Sequence, residues 1–221
     1  MHRELRFYVD SAKVEEVSGV LADALVHGVT TNPTILERAD RSVRDLPELY
    51  ARWEAEGAQE IFFQTWGDST KSMLSNAERI VSLGSRVVVK VTATREGFAA
   101  ATALVAAETT VLVTAVYSQA QALMAATIGA RYIAPYLGRM NDAGRDGVAE
   151  IGAMQALVAG SGTDVLAASL RTPNDIVALA VRGVPFFTAA PSVILAALQD
   201  DVSDSSAEEF EAAVGRGLQG G

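Results

Sequence analysis

Eight short runs rich in β-branched, aromatic and leucine residues recur along this 221-residue chain, about one every 28 residues, with Ala-rich stretches of helical periodicity between them. The pattern predicts strands over 5–10, 28–32, 60–65, 86–91, 111–116, 132–136, 164–169 and 185–188. Helices are predicted over 14–25, 70–83, 95–107, 118–128, 147–158 and 172–181. Ser69, Thr94 and the Thr172-Pro173 pair stand where a helix start wants a capping hydroxyl or an early proline. Gly84, Gly129, Gly160 and Gly183 follow helices, as C-terminal caps do.

The strand runs are almost continuously apolar, so both faces of their sheet must be covered; that is the property of a parallel β/α sheet. Eight strands close such a sheet. The first reading is therefore an α/β chain of one domain, 1–221: a (β/α)8 TIM barrel over about 5–198 with an extra C-terminal helix at about 205–218. A doubly wound open sheet is the alternative. It is weakened because no G-x-G-x-x-G follows the first strand and no G-x-x-x-x-G-K-[ST] occurs. Gly160-Ser161-Gly162 precedes a strand and reads as a helix stop.

Composition removes several function classes. A net charge of −9 and a pI near 4.7 argue against nucleic acid or an anionic membrane surface as partner, and an anionic substrate would need a local basic pocket. Without cysteine there is no thiol nucleophile and no thiolate metal site. The two histidines, His2 and His27, are too few for a His-based metal site, and His27 enters its strand from the end opposite the expected site, so no metal is expected. Glu15-Glu16 reads as solvated charge. The N-terminal residues lack a signal-type apolar stretch, and the longest apolar run, 98–107, is too short to span a bilayer, so a cytoplasmic protein is expected.

In a barrel of this kind the chemistry sits where strands end. Polar residues gather there: Asp10, Thr30-Thr31-Asn32, Gln64, Lys90, Thr114, Tyr136, Arg139, Ser169 and Arg171. Each has a plain alternative. Asp10 suits a helix cap, Asn32-Pro33 an ordinary turn, Tyr136 a core aromatic and Arg171 a solvated charge. Lys90 is the most demanding, because it interrupts Arg86-Val-Val-Val-Lys-Val-Thr92. Such a lysine either runs its stem out to water or uses its amine, as in adding to a carbonyl to form a Schiff base.

The segments Phe7-Tyr-Val-Asp10, Gly28-Val-Thr-Thr-Asn-Pro-Thr34, Val87-Val-Val-Lys-Val91, Thr114-Ala-Val-Tyr117, Ala134-Pro-Tyr136 and Leu166-Ala-Ala-Ser-Leu-Arg-Thr-Pro173 resemble the transaldolase family. They are most similar to its short fructose-6-phosphate aldolase branch. The resemblance runs from Leu5 to about Leu198. It implies a class I aldolase on a TIM barrel, with neither metal nor organic cofactor. It implies Lys90 as the Schiff-base lysine and Asp10 as the partner of the substrate hydroxyl at the reacting carbon. Thr30 and Asn32 would hold substrate hydroxyls, and Thr114 would position water or substrate near the imine. Arg139, Ser169 and Arg171 fall in the phosphate-recognition region.

Two positions separate the branches. Transaldolases typically carry glutamate at the end of strand 3 and phenylalanine after strand 6. Gln64 and Tyr136 match the aldolases instead, where the tyrosine hydroxyl, through water, is the acid/base group. The implied reaction splits or forms fructose 6-phosphate, with dihydroxyacetone and glyceraldehyde 3-phosphate as the other partners. A transaldolase moving a dihydroxyacetone unit between sugar phosphates is the second reading, and a non-catalytic sugar-phosphate-binding barrel the third. Thr92 stands where relatives usually have proline, Arg171 where the aldolase branch commonly has lysine, and Trp66 is placed to crowd the mouth. Phe210, Val214 and Leu218 form a narrow apolar stripe on the C-terminal helix. That helix either closes the barrel or, as the resemblance implies, reaches a neighbour in a ring-shaped homo-oligomer; relatives form decamers.

Overall fold

The computed structural model describes residues 5–219, with side-chain environments for 5–218; His2 and the remaining terminal positions of the expected 1–221 domain lie outside that range. Eight parallel strands among the described residues close into a barrel in sequence order, β1 to β8. They are β1 (Arg6–Asp10), β2 (Gly28–Thr30), β3 (Glu60–Gln64), β4 (Val87–Thr92), β5 (Val111–Val116), β6 (Tyr132–Pro135), β7 (Asp164–Leu170) and β8 (Phe186–Ala189). The open-sheet alternative is thereby excluded. Helices α1 (Val14–Ala22), α4 (Thr70–Val81), α5 (Arg95–Ala106), α6 (Gln119–Thr127), α8 (Gly147–Val158) and α9 (Pro173–Val181) fall where the periodicity predicts them. Ser69, Thr94 and Thr172 each accept a backbone N–H at their helix start.

Four helices escape the sequence pattern. Three of them, α2 (Pro33–Arg38), α7 (Leu137–Asp142) and α10 (Pro191–Ala196), have six residues each, too few to display a period; α3 (Leu46–Ala55) is the fourth. The last helix, α11 (Asp201–Gln219), begins earlier than expected because the Asp200 side chain accepts the amides of Val202 and Ser203. Gly129, Gly160 and Gly183 adopt the left-handed conformation of a cap. Gly84 has a different reason: a Cβ there would lie 2.1 Å from the Tyr50 hydroxyl.

Strand alternation divides the core in two. Outward residues such as Val89, Val91, Val113 and Ile133 pack under the helices, while Tyr8, Phe62, Val88, Leu112, Ala134, Leu166 and Phe186 fill the barrel. This interior layer places the site. Two residues further along a strand, a side chain faces inward again, one level nearer the C-terminal mouth. Tyr8 is thus followed by Asp10, Phe62 by Gln64, Val88 by Lys90, Leu112 by Thr114, Ala134 by Tyr136 and Phe186 by Thr188. An apolar floor lies directly beneath a ring of polar side chains.

Candidate active site

A cavity of about 470 Å³ opens above that floor. Eight of the ten residues to which the resemblance gives roles line it: Asp10, Asn32, Gln64, Lys90, Thr114, Tyr136, Arg139 and Ser169. Thr30 and Arg171 do not.

Lys90 is 4% exposed and stands in register with Gln64 on β3 and Leu112 on β5. Lys90 acts electrostatically on Asp10, which lines the same cavity. Burial pushes the Asp10 carboxyl up, against the opposing pull of the Lys90 ammonium, the Thr30 hydroxyl and Arg38. Asp10 does not cap α1, whose N-cap position is Lys13. Its Oδ1 accepts instead from the Thr30 hydroxyl at 2.6 Å, and Thr30 Oγ1 lies 2.6 Å from Thr188 Oγ1. With the Thr30 proton committed to Asp10, Thr188 is left to donate to Thr30. Fully buried, Thr30 orients Asp10 from behind rather than reaching the cavity.

Across the cavity, Thr114 Oγ1 and the Tyr136 hydroxyl are 2.9 Å apart. The Tyr136 ring meets Tyr117 edge to face at 6.0 Å. Asn32 serves two purposes: its Oδ1 caps α2 by accepting from Ile35 N at 2.9 Å, and its side chain borders the cavity. Its amide N–H groups remain as donors.

Two bulges re-aim the mouth. The β5–β6 register shifts between Thr114 and Val116, and the β7–β8 register between Ala167 and Leu170. At these points Ala115 and Ser169 take φ of +57°, a conformation that costs a non-glycine residue on the order of 1 kcal/mol. Regular alternation would turn Ser169 away once Ala168 faces inward, yet both line the cavity. Gly138 makes room for this turn, since a Cβ there would meet Ser169 O at 2.8 Å and Arg171 Nε at 2.7 Å.

Arg171 is occupied. It makes a two-armed pair with Asp142, Nη1 to Oδ1 at 2.7 Å and Nη2 to Oδ2 at 2.5 Å, at the edge of a second, more open cavity of about 610 Å³. That annex shares Arg38, Arg139 and Ser169 with the first cavity. Trp66 does not crowd the mouth. It lies outside the barrel among Val43, Leu46 and Leu83, with Arg79 over its ring at 5.9 Å. Thr92 does border the cavity.

Arg38, Tyr117 and Thr188 belong to the site or its support and were missed from sequence. Thr188 carries the same signal as the others, a polar residue two places after an inward aromatic. Arg38 sits at the end of the six-residue α2 and carries none. Among the described residues, no three His, Cys, Asp or Glu side chains are grouped to hold a metal ion, and no helix is long and apolar enough to cross a membrane.

A family model described as Transaldolase/Fructose-6-phosphate aldolase matches residues 7–217. Among solved structures, thiamine phosphate pyrophosphorylase from Pyrococcus furiosus superposes with a TM-score of 0.60 at 17% identity, over 87% of this chain and 88% of that one. Mandelate oxidase with (S)-2-phenylpropionate gives a TM-score of 0.59 at 20% identity, over 86% of this chain and 65% of that one. This chain therefore spans about two thirds of the oxidase. At such identities these two similarities establish the barrel and nothing about its chemistry.

Proposed function

Because the chain belongs to the transaldolase/fructose-6-phosphate aldolase family, whose members are Schiff-base enzymes of the aldolase and transaldolase kind, we propose that it is a fructose-6-phosphate aldolase-like lyase. It would cleave fructose 6-phosphate to dihydroxyacetone and glyceraldehyde 3-phosphate, or join them. The observation that carries this reading is the Tyr136 hydroxyl within hydrogen-bonding distance of Thr114, across a cavity that also holds Lys90, with Gln64 rather than a carboxylate in register beside it.

In this reading the Lys90 amine adds to the ketone carbon and water departs, leaving an iminium that withdraws electrons from the neighbouring bond. Asp10, oriented by Thr30, accepts the hydrogen bond of the hydroxyl on the reacting carbon. As the carbon–carbon bond breaks, that hydroxyl passes its proton to the water held by Tyr136 and becomes the aldehyde, and the bonding electrons pass into an enamine. Tyr136, through a water molecule, returns a proton to the enamine carbon. Hydrolysis of the iminium then frees dihydroxyacetone and restores Lys90. Asn32 donates to substrate hydroxyls, and Arg139 and Ser169 receive the phosphate. No step calls for a metal or an organic cofactor. A cytoplasmic location suits the reading, since charged sugar phosphates do not cross a bilayer unaided.

The apolar stripe of α11 supports a homo-oligomer, decameric if it follows its relatives. Val202, Phe210, Val214 and Leu218 are each more than half exposed, and the helix does not close the barrel.

The deciding experiment is incubation with fructose 6-phosphate alone. Release of free dihydroxyacetone is expected. Turnover that depends strictly on added erythrose 4-phosphate would make the enzyme a transaldolase.

A further inference from the structure

We propose that Arg38 is a phosphate-binding residue of the substrate site, completing with Arg139 a clamp that closes on the substrate phosphate from both sides of the barrel mouth. The inference rests on the sugar-phosphate reading above and names a residue of that site which the sequence did not point to.

Position is the first argument. Strands β2 and β6 stand four places apart in a closed ring of eight, so the helices that follow them, α2 and α7, approach the mouth from opposite sides. Arg38 ends α2, Arg139 lies on α7, and both border the main cavity and the annex beside it. The second argument is charge. Among the described residues, neither Arg38 nor Arg139 has a carboxylate within ion-pair distance, whereas Arg171 is held on both arms by Asp142. Arg38 and Arg139 can therefore meet an anion at this mouth without first breaking an ion pair, as Arg171 would have to. Holding unpaired cations around one cavity is unfavourable until an anion arrives, which is the arrangement a phosphate site requires.

The third argument is local structure. Pro33 starts α2 and the Asn32 side chain caps it, and Asn32 itself borders the substrate cavity. A contact between substrate and Asn32 therefore bears on the helix that presents Arg38. Arg38 is exposed to solvent, yet close enough to Asp10 to favour its ionised form, so its charge acts at the mouth.

The test measures phosphate directly. Inorganic phosphate is titrated calorimetrically into the full-length protein and into Arg38→Gln and Arg38→Lys at low ionic strength. A lost charge-assisted hydrogen bond should weaken binding in Arg38→Gln by about ten- to a hundredfold, with Arg38→Lys in between. In turnover, Arg38→Gln should lower kcat/KM for condensation with glyceraldehyde 3-phosphate at least tenfold more than for condensation with glyceraldehyde. Phosphate affinity equal to that of the parent protein in Arg38→Gln would overturn the assignment. So would an equal loss on both aldehydes, which would mean that Arg38 acts only through Asp10. The aldolase reading is judged separately: failure to trap dihydroxyacetone on Lys90 would count against it without altering the phosphate titration.

Discussion

Both ends of this barrel carry charge inside the strand ring, but they are finished differently. At the N-terminal end Glu60 accepts from the Tyr8 hydroxyl at 2.5 Å and from the Tyr132 hydroxyl at 2.8 Å, with Arg6 and His27 within 4 Å. Burial and the Glu60 carboxylate push Tyr132 up to about 12 and raise Tyr8 as well, so both phenols stay protonated donors. Two phenols and two basic side chains thus surround the one carboxylate. At the C-terminal end Lys90 is buried, and burial works against the charged form of the Asp10 carboxyl that lines the same cavity. Nearby, Arg38 and Arg139 have no carboxylate within ion-pair distance among the described residues, and Ser169 sits on strained backbone. One end holds the barrel shut, and the other keeps groups unsatisfied for a substrate to complete, the division of labour expected of this fold.

Substitutions at the two ends should therefore separate activity from stability. The largest effect is expected of Lys90→Met. Activity should fall by at least about 10³-fold while the melting temperature holds or rises, because a buried ammonium is replaced by a side chain of similar length. A melting temperature lowered by several degrees would make Lys90 part of the scaffold and blur the contrast. Tyr136→Phe should lose about 10²–10⁴-fold in aldolase turnover and still form the Lys90 imine. Retained turnover would remove Tyr136 from the acid/base role.

Glu60→Gln should show the reverse profile, with stability reduced by about 1–3 kcal/mol in denaturant titrations and kcat/KM nearly that of the parent. A large activity loss in a stably folded Glu60→Gln would mean that the two ends are coupled.

The smallest effect is a displaced pH limb. Because burial raises Asp10, it protonates in the folded enzyme at a pH above the ordinary 3.8, and activity should fall on acidification with a midpoint above that value. The sign for stability is opposite. Within that window the native state holds more protons than the unfolded chain, so stability relative to Asp10→Asn should rise as the pH falls. A limb at or below 3.8 would contradict the buried carboxylate.

Much of the contrast was legible in the sequence. The apolar runs announced eight strands, and the rule that chemistry sits at strand ends picked out Asp10, Gln64, Lys90, Thr114 and Tyr136. What escaped depends on departures from regularity. Ser169 was named from its place at a strand end, but the bulge that turns it into the cavity against the period of two was not legible. Arg38 ends a helix too short to show a pattern, and the Arg171–Asp142 pair joins residues 29 apart in the chain. Trp66 was misjudged because its position just past β3 does not disclose that it turns outward to pack with Arg79. Tyr8 and Glu60 lie on strands 52 residues apart, and nothing local announces that they meet.

The central claim is that the group left in waiting at the open end is the amine of Lys90. Borohydride reduction in the presence of dihydroxyacetone, followed by peptide mass analysis, tests it directly. The account predicts one adduct, on Lys90, with the mass of dihydroxyacetone less water plus two hydrogens, and none in Lys90→Met. An unmodified Lys90, or an adduct only on other lysines, would contradict it.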